Sequence, residues 1–264
     1  MSRIDETFAR LGKDGEKGLV VYLTAGDPDP RASLSYLCGA AEGGADVLEV
    51  GIPFSDPMAD GPTIQAACRR SLAGGMTTRH ALSLVSSFRK GHDTPVVIFG
   101  YYNPFLQYGI RKFCRDARSA GADGVLVVDL PAEEAGEMMP DAKRSGLDWI
   151  PLVSPTSGRE RIRRAASNGS GFLYLISVTG ITGVRKSLPP RLQRWSREVK
   201  ALTSLPIAVG FGISHPAMAG AATSHADAAV VGSACVKIVE RYGTARKGPE
   251  ALRRFVQSLK KEMR

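Results

Sequence analysis

The 264-residue chain holds only four cysteines, Cys38, Cys68, Cys114 and Cys235. None forms a CxxC pair, and no His/Cys cluster has metal-ligand spacing. That pattern excludes a disulfide framework and a zinc ribbon. It predicts reduced, mostly buried thiols in a cytoplasmic protein. No uncharged apolar run approaches the roughly 18 residues that span a bilayer. The opening stretch MSRIDETFARLGKDGEKG lacks an apolar core and a cleavage site, so no signal peptide is expected. No low-complexity linker divides the chain, which predicts one domain over 1–264. Aromatic residues make up only 7% and form no platform beside the basic stretches. The net charge of +9 is therefore weak support for nucleic-acid binding. Runs such as RERIRR (159–164) interleave acids with bases, as solvated helix faces do. A positive field of this kind favours an anionic substrate.

What is present is repetition. GGADVLEV (43–50) has echoes in AGADGVLVVD (120–129), SGLDWIPLV (145–153) and SHADAAVVG (224–232). Each reads as a helix end, a tight turn and a short apolar strand. GLVVYLTAG (18–26), TPVVIFGYY (94–102), GFLYLIS (171–177) and LPIAVGFG (205–212) bring the candidate strands to eight. Helical periodicity lies between them, as in 30–44, 63–75 and 158–169. Apolar strands alternating with helices are parallel and buried on both faces. Eight such units over this length predict an α/β fold, a (β/α)8 TIM barrel. A doubly wound open sheet is the alternative, but the first turn, TAGDPDP, is no GxGxxG fingerprint. Extra helices are expected before strand one, with Ile4, Phe8 and Leu11 on one face, and between strands two and three at 76–90.

In such a barrel, chemistry sits at the C-terminal strand ends. Strand two continues as ADVLEVGIPFSDPMADGPTIQ (45–65). Alternation puts Val47 and Glu49 on one face and Leu48 and Val50 on the other. Pointing inward, Glu49 is a carboxyl in an apolar barrel, where desolvation keeps a proton on it near neutrality. A structural ion pair, or a side chain pointing to water at a strand end, stands level with that reading. The following loop exceeds the about two to six residues usual for a βα connection. Its acids are Asp56 and Asp60. Asp60 is either a turn or cap residue or a second carboxylate facing Glu49. SVTGITGVRKSLPP (177–190) reads as a surface excursion or a mobile lid. Glycines after strands seven and eight, with Gly232 and Ser233 opening a helix, favour a phosphate cradle.

LEVGIPFSDPMADGPTIQ resembles the signature of the tryptophan synthase alpha-subunit family. LTAGDP, GYYNP, VVDLP, SVTGITG, GFGIS and VVGSA follow in the family's order, so the likeness runs through the whole chain. The resemblance implies a lyase that cleaves indole-3-glycerol phosphate to indole and glyceraldehyde 3-phosphate. Glu49 matches the catalytic glutamate, which protonates indole C3 and also serves as base. Asp60 matches the second carboxylate, which accepts the indole N–H. Gly183, Gly212, Gly232 and Ser233 match phosphate-binding positions. Tyr22, Phe99, Leu126, Leu152 and Phe211 match the indole pocket. Tyr101 matches a pocket tyrosine, Tyr174 a tyrosine near the glycerol portion, and Thr182 the lid threonine that approaches Asp60. Asp129 either anchors the loop after strand two or caps a helix beginning near Pro131. No metal or organic cofactor is implied for this chain. The implied partner is a pyridoxal-phosphate beta subunit in an αββα heterotetramer, reached by indole through a tunnel. Met58 replaces a common leucine, and Tyr22 stands where phenylalanine also occurs, so a buried Tyr22 hydroxyl needs a partner. A stand-alone lyase releasing free indole and a non-catalytic phosphate-binding subunit are the competing readings.

Overall fold

The computed structural model describes residues 1–176, 190–210 and 212–263. The eight apolar runs appear as nine parallel strands: β1 (Gly18–Thr24), β2 (Val47–Gly51), β3 (Val96–Gly100), β4 (Gly124–Val127), β5 (Asp148–Trp149), β6 (Leu152–Val153), β7 (Leu173–Ile176), β8 (Ile207–Gly210) and β9 (Ala228–Val231). Their order is β5-β4-β3-β2-β1-β9-β8-β7-β6. β5 and β6 are two halves of the fifth barrel strand, interrupted at Ile150 and Pro151. Pro151 has no N–H to place in a ladder. The break still carries pairing on both sides. Ile150 N donates to Val125 O at 3.0 Å, and Tyr174 N donates to Pro151 O at 2.9 Å. The two ends of the sheet are thus one stretch of chain, and the barrel closes.

Around it run α1 (Arg3–Asp14), α2 (Pro30–Glu42), α3 (Pro62–Ala73), α4 (Thr78–Arg89), α5 (Tyr102–Tyr108), α6 (Ile110–Ser119), α7 (Met139–Arg144), α8 (Arg159–Asn168), α9 (Pro190–Lys200), α10 (Pro216–Thr223), α11 (Ser233–Tyr242) and α12 (Gly248–Glu262). α1 and α4 are the two expected extra helices. α5 was not expected, and the helix expected near Pro131 begins only at Met139, after a 3-10 turn at Ala135–Glu137. Asp129 therefore caps a different helix: its Oδ1 accepts Tyr102 N–H at the start of α5, at 2.7 Å.

Strand alternation separates two cores. Leu48 and Val50 face the layer between barrel and helices, with Leu19, Val21, Ile98 and Val209. Val20, Val47, Val97, Leu126, Ile150 and Phe172 fill the barrel. α1 closes its floor with Ile4, Phe8 and Leu11, and Phe8 lies against Phe172 at 5.7 Å. The helix starts in a capping box. Asp5 N donates to Ser2 Oγ at 3.1 Å, and Ser2 N donates to Asp5 Oδ2 at 3.0 Å. Ser2→Ala is expected to cost about 1 kcal/mol of unfolding free energy, measurable by urea titration. An unchanged midpoint would mean that the floor helix is held by its apolar face and by the Arg3–Asp123 ion pair at 2.9 Å.

Cys68, Cys114 and Cys235 are buried, Cys38 is partly buried, and all four are free thiols. Among the described residues no helix is long and apolar enough to cross a membrane.

Candidate active site

A cavity of about 220 Å³ opens at the C-terminal ends of the strands. Glu49 lies in it, on β2, between Tyr22 of β1 and Val97 of β3 in register. It points inward with Val47 and is fully buried. Among the described residues neither carboxyl oxygen has a hydrogen-bond partner. Burial pushes this carboxyl up to about 8, so the group is a protonated acid at neutral pH. The ion-pair alternative falls with the missing partner. A buried carboxyl left unpaired is destabilising, so its presence here calls for a role other than stability.

The loop after β2 brings Asp60 to the same cavity. Gly61 is the N-cap of α3 and Pro62 its first residue, so the Asp60 side chain is not used for capping. Its backbone is held instead: Asp60 N donates to Pro57 O at 3.0 Å, and Gln65 Nε2 donates to Asp60 O at 2.8 Å. Burial raises the Asp60 carboxyl to about 6, against a lowering hydrogen bond from Tyr101. The two carboxyls therefore differ in environment and in protonation, as an acid and an acceptor must.

Glycines shape the walls. A side chain at Gly51 would put its Cβ 2.2 Å from the Tyr22 hydroxyl, and one at Gly210 would meet the Tyr174 hydroxyl at 2.6 Å. Tyr22 stands edge-on to Phe99 at 5.0 Å. Its hydroxyl finds the required partner in Thr24 Oγ1 at 3.3 Å. Gly212 takes a φ of 71°, in the left-handed region that glycine tolerates. Gly232 and Ser233 line the cavity at the start of α11, where the first helical N–H groups have no intrahelical acceptor.

Of the residues singled out in the sequence, Tyr22, Glu49, Asp60, Phe99, Leu152, Tyr174, Gly212, Gly232 and Ser233 meet at this cavity. Leu126 does not reach it. It sits deeper, in the barrel interior, and Val128 takes the wall position two residues on. Tyr101 stands behind Asp60 instead of lining the wall: its hydroxyl donates to Asp60 Oδ2 at 2.9 Å. Thr182, Gly183 and Phe211 lie outside the described residues. Ala59, Ile64, Ile176, Ile213 and Val230 also line the cavity. Ile176 and Val230 were not singled out in the sequence, although strand alternation from Tyr174 and Ala228 reaches them. A larger hollow of about 690 Å³ lies beside Asp46 and Lys260. Its buried carboxylate is already satisfied, by Lys260 Nζ at 2.6 Å and Leu19 N at 2.8 Å. Among the described residues no group of His, Cys, Asp and Glu is placed to hold a metal ion.

Residues 8–264 match the family model described as tryptophan synthase alpha chain. The tryptophan synthase alpha chain of Geotalea daltonii is 50% identical over 242 residues, covering 92% of each chain. The crystal structure of tryptophan synthase alpha chain from Legionella pneumophila superposes with a TM-score of 0.91 at 38% identity, over 100% of this chain and 97% of that one. A chain of the tryptophan synthase α2β2 complex of Pyrococcus furiosus superposes with a TM-score of 0.86 at 39% identity, over 92% of this chain and 98% of that one. Likeness of this extent, in sequence from Phe8 onward and in fold, places the chain in the tryptophan synthase alpha chain family.

Proposed function

We propose that the chain, acting as one domain in the cytoplasm, cleaves indole-3-glycerol phosphate to indole and glyceraldehyde 3-phosphate. The observation that carries the reading is the buried, unpartnered Glu49 carboxyl sharing a cavity with Asp60. Protonated Glu49 delivers its proton to indole C3, and the bond from C3 to the glycerol chain then breaks, its electron pair returning to the ring. The resulting carboxylate takes the proton of the glycerol hydroxyl next to that bond, which becomes the aldehyde oxygen. Glu49 ends as it began, so protons balance over the cycle. Asp60, ionised, accepts the indole N–H and stabilises the positive charge that C3 protonation creates. Gly212, Gly232, Ser233 and the α11 N-terminus hold the phosphate, with Gly183 assigned to the same end and Thr182 to the lid over Asp60 on resemblance. Tyr22, Phe99, Leu152 and Tyr174 enclose the organic portion, and Phe211 is assigned there on resemblance. The net charge of +9 draws the anionic substrate in. The chain's own residues complete this proton cycle, and pyridoxal phosphate belongs to the beta partner.

The Pyrococcus furiosus relative is part of an α2β2 complex with mutual activation, and we assign this chain the same kind of partner. Indole release from indole-3-glycerol phosphate, with and without the cognate beta subunit, tests the reading. Acceleration by beta is expected. Fast turnover that beta leaves unchanged would point to a stand-alone lyase.

The pH profile of kcat/KM should be a bell. Asp60 must be ionised, so the rate falls as pH drops below about 6. Glu49 must hold a proton, so the rate falls again as pH rises above about 8. A profile flat from pH 5 to 9 would remove both carboxyls from the reaction.

A further inference from the structure

One phenol holds two adjacent residues of the β2–α3 loop. The Tyr101 hydroxyl donates to Asp60 Oδ2 at 2.9 Å and accepts Ala59 N–H at 3.0 Å. The ring is 4% exposed. It packs on Phe54 of the same loop, with centroids 5.3 Å apart. The backbone just after it is pinned in turn, because Asp129 Oδ1 takes Tyr102 N–H at 2.7 Å. A chain of contacts thus runs from the end of β4, through the start of α5, to the loop that carries Asp60. The bridge spans 41 residues of sequence, and local backbone bonds alone would leave the carboxylate free to rotate.

We infer that Tyr101 is a positioning residue: it fixes Asp60 by one carboxyl oxygen, turns the other toward the substrate, and docks the loop through Ala59 in the same contact. The inference rests on the proposed reaction for its catalytic meaning, but not for its geometry. The three groups form a cooperative series, Ala59 N–H to phenol oxygen and phenol O–H to carboxylate. The second bond is strongest when Asp60 is ionised. The titratable groups facing Asp60 are Tyr22 from β1, Glu49 from β2, Cys68 from α3 and Tyr174 from β7. All are neutral at pH 7, since burial raises each of them. Among the described groups acting on Asp60, Tyr101 alone favours its charge. Loop docking and Asp60 ionisation therefore support each other.

Tyr101→Phe keeps the ring and removes the bridge. Carbon-13 carboxyl NMR without substrate should show the Asp60 titration moving up by about one pH unit, the size of a hydrogen bond to a charged group. Ala59 amide exchange should accelerate about tenfold, as its acceptor is lost, while the strand amides stay unchanged. The acid limb of kcat/KM should move up with the titration. The activity loss is then about fivefold near pH 6, approaches tenfold at pH 5 and below, and shrinks toward pH 8. An Asp60 titration and Ala59 exchange that do not move, or a rate loss equal at every pH, would overturn the inference. Asp60→Asn, in the loop, is the second variant and should also speed Ala59 exchange by weakening the clamp; unchanged protection there would count against it. A chain with no lyase activity but a shifted Asp60 titration would overturn the reaction and leave the clamp standing.

Discussion

Glu49→Gln should lower kcat for indole release by about 10²- to 10⁴-fold, the range for a lost proton-transfer group. In barrier terms this is about 3 to 5 kcal/mol. Substrate affinity should change little. Gln has the same shape, and the phosphate cradle and ring walls lie on other strands and at the start of α11. Two features make the effect large. Among the described residues the cavity offers Glu49 no ready substitute proton donor: Val97 on β3 and Tyr22 on β1 are its register neighbours, and burial holds the Tyr22 and Tyr174 phenols well above their ordinary range. The carboxyl also has no hydrogen-bond partner among the described residues, so no second group of theirs is waiting to take over its proton. Single-turnover release of indole, with binding measured separately, checks both halves. If variant and wild type release indole at equal rates, Glu49 is structural and the proposed chemistry is wrong.

Much of this site could be read from side-chain alternation. Val47 and Glu49 share a face with period two, and both point into the barrel. Ile4, Phe8 and Leu11 share a helical face, and all three plug the floor. Alternation gives the face of a strand but not the depth along the barrel axis. Leu126 and Val128 have the same parity, yet only Val128 reaches the cavity. Depth depends on the stagger between neighbouring strands, which is a property of pairing partners. The same limit hid the break in the fifth strand. SGLDWIPLV reads as one run, and Pro151 was the one residue in it that argued against a continuous ladder. Asp129 and Tyr101 show the other limit. Each makes its defining hydrogen bond to a residue 27 or 41 positions away. Residue type announced a polar partner for each, but only the fold says which one.

The second large effect is on stability, and it has the opposite sign at high pH. The Glu49 carboxyl is raised from 4.5 to about 8 in the folded chain. At low pH both states hold the proton, and the carboxyl's contribution to stability is fully present below about pH 4.5. As pH rises the unfolded chain releases its proton while the folded chain must keep it. The contribution is lost progressively until pH passes about 8. A shift of this size has a ceiling of roughly 4 to 5 kcal/mol at about 1.36 kcal/mol per unit. Glu49→Gln removes the slope. Its amide is also buried without a partner, a cost that does not vary with pH. The variant should therefore match or trail wild type at pH 5 and exceed it by several degrees in Tm at pH 9. Asp60, raised from 3.8 to about 6, adds a slope of the same sign at lower pH, but it is present in both proteins and cancels from the difference. Thermal unfolding of the pair across pH 5 to 9 is the measurement. A Tm difference that stays constant over that range would mean that Glu49 titrates in the fold as it does in the unfolded chain, and that its burial does not hold the proton the reaction needs.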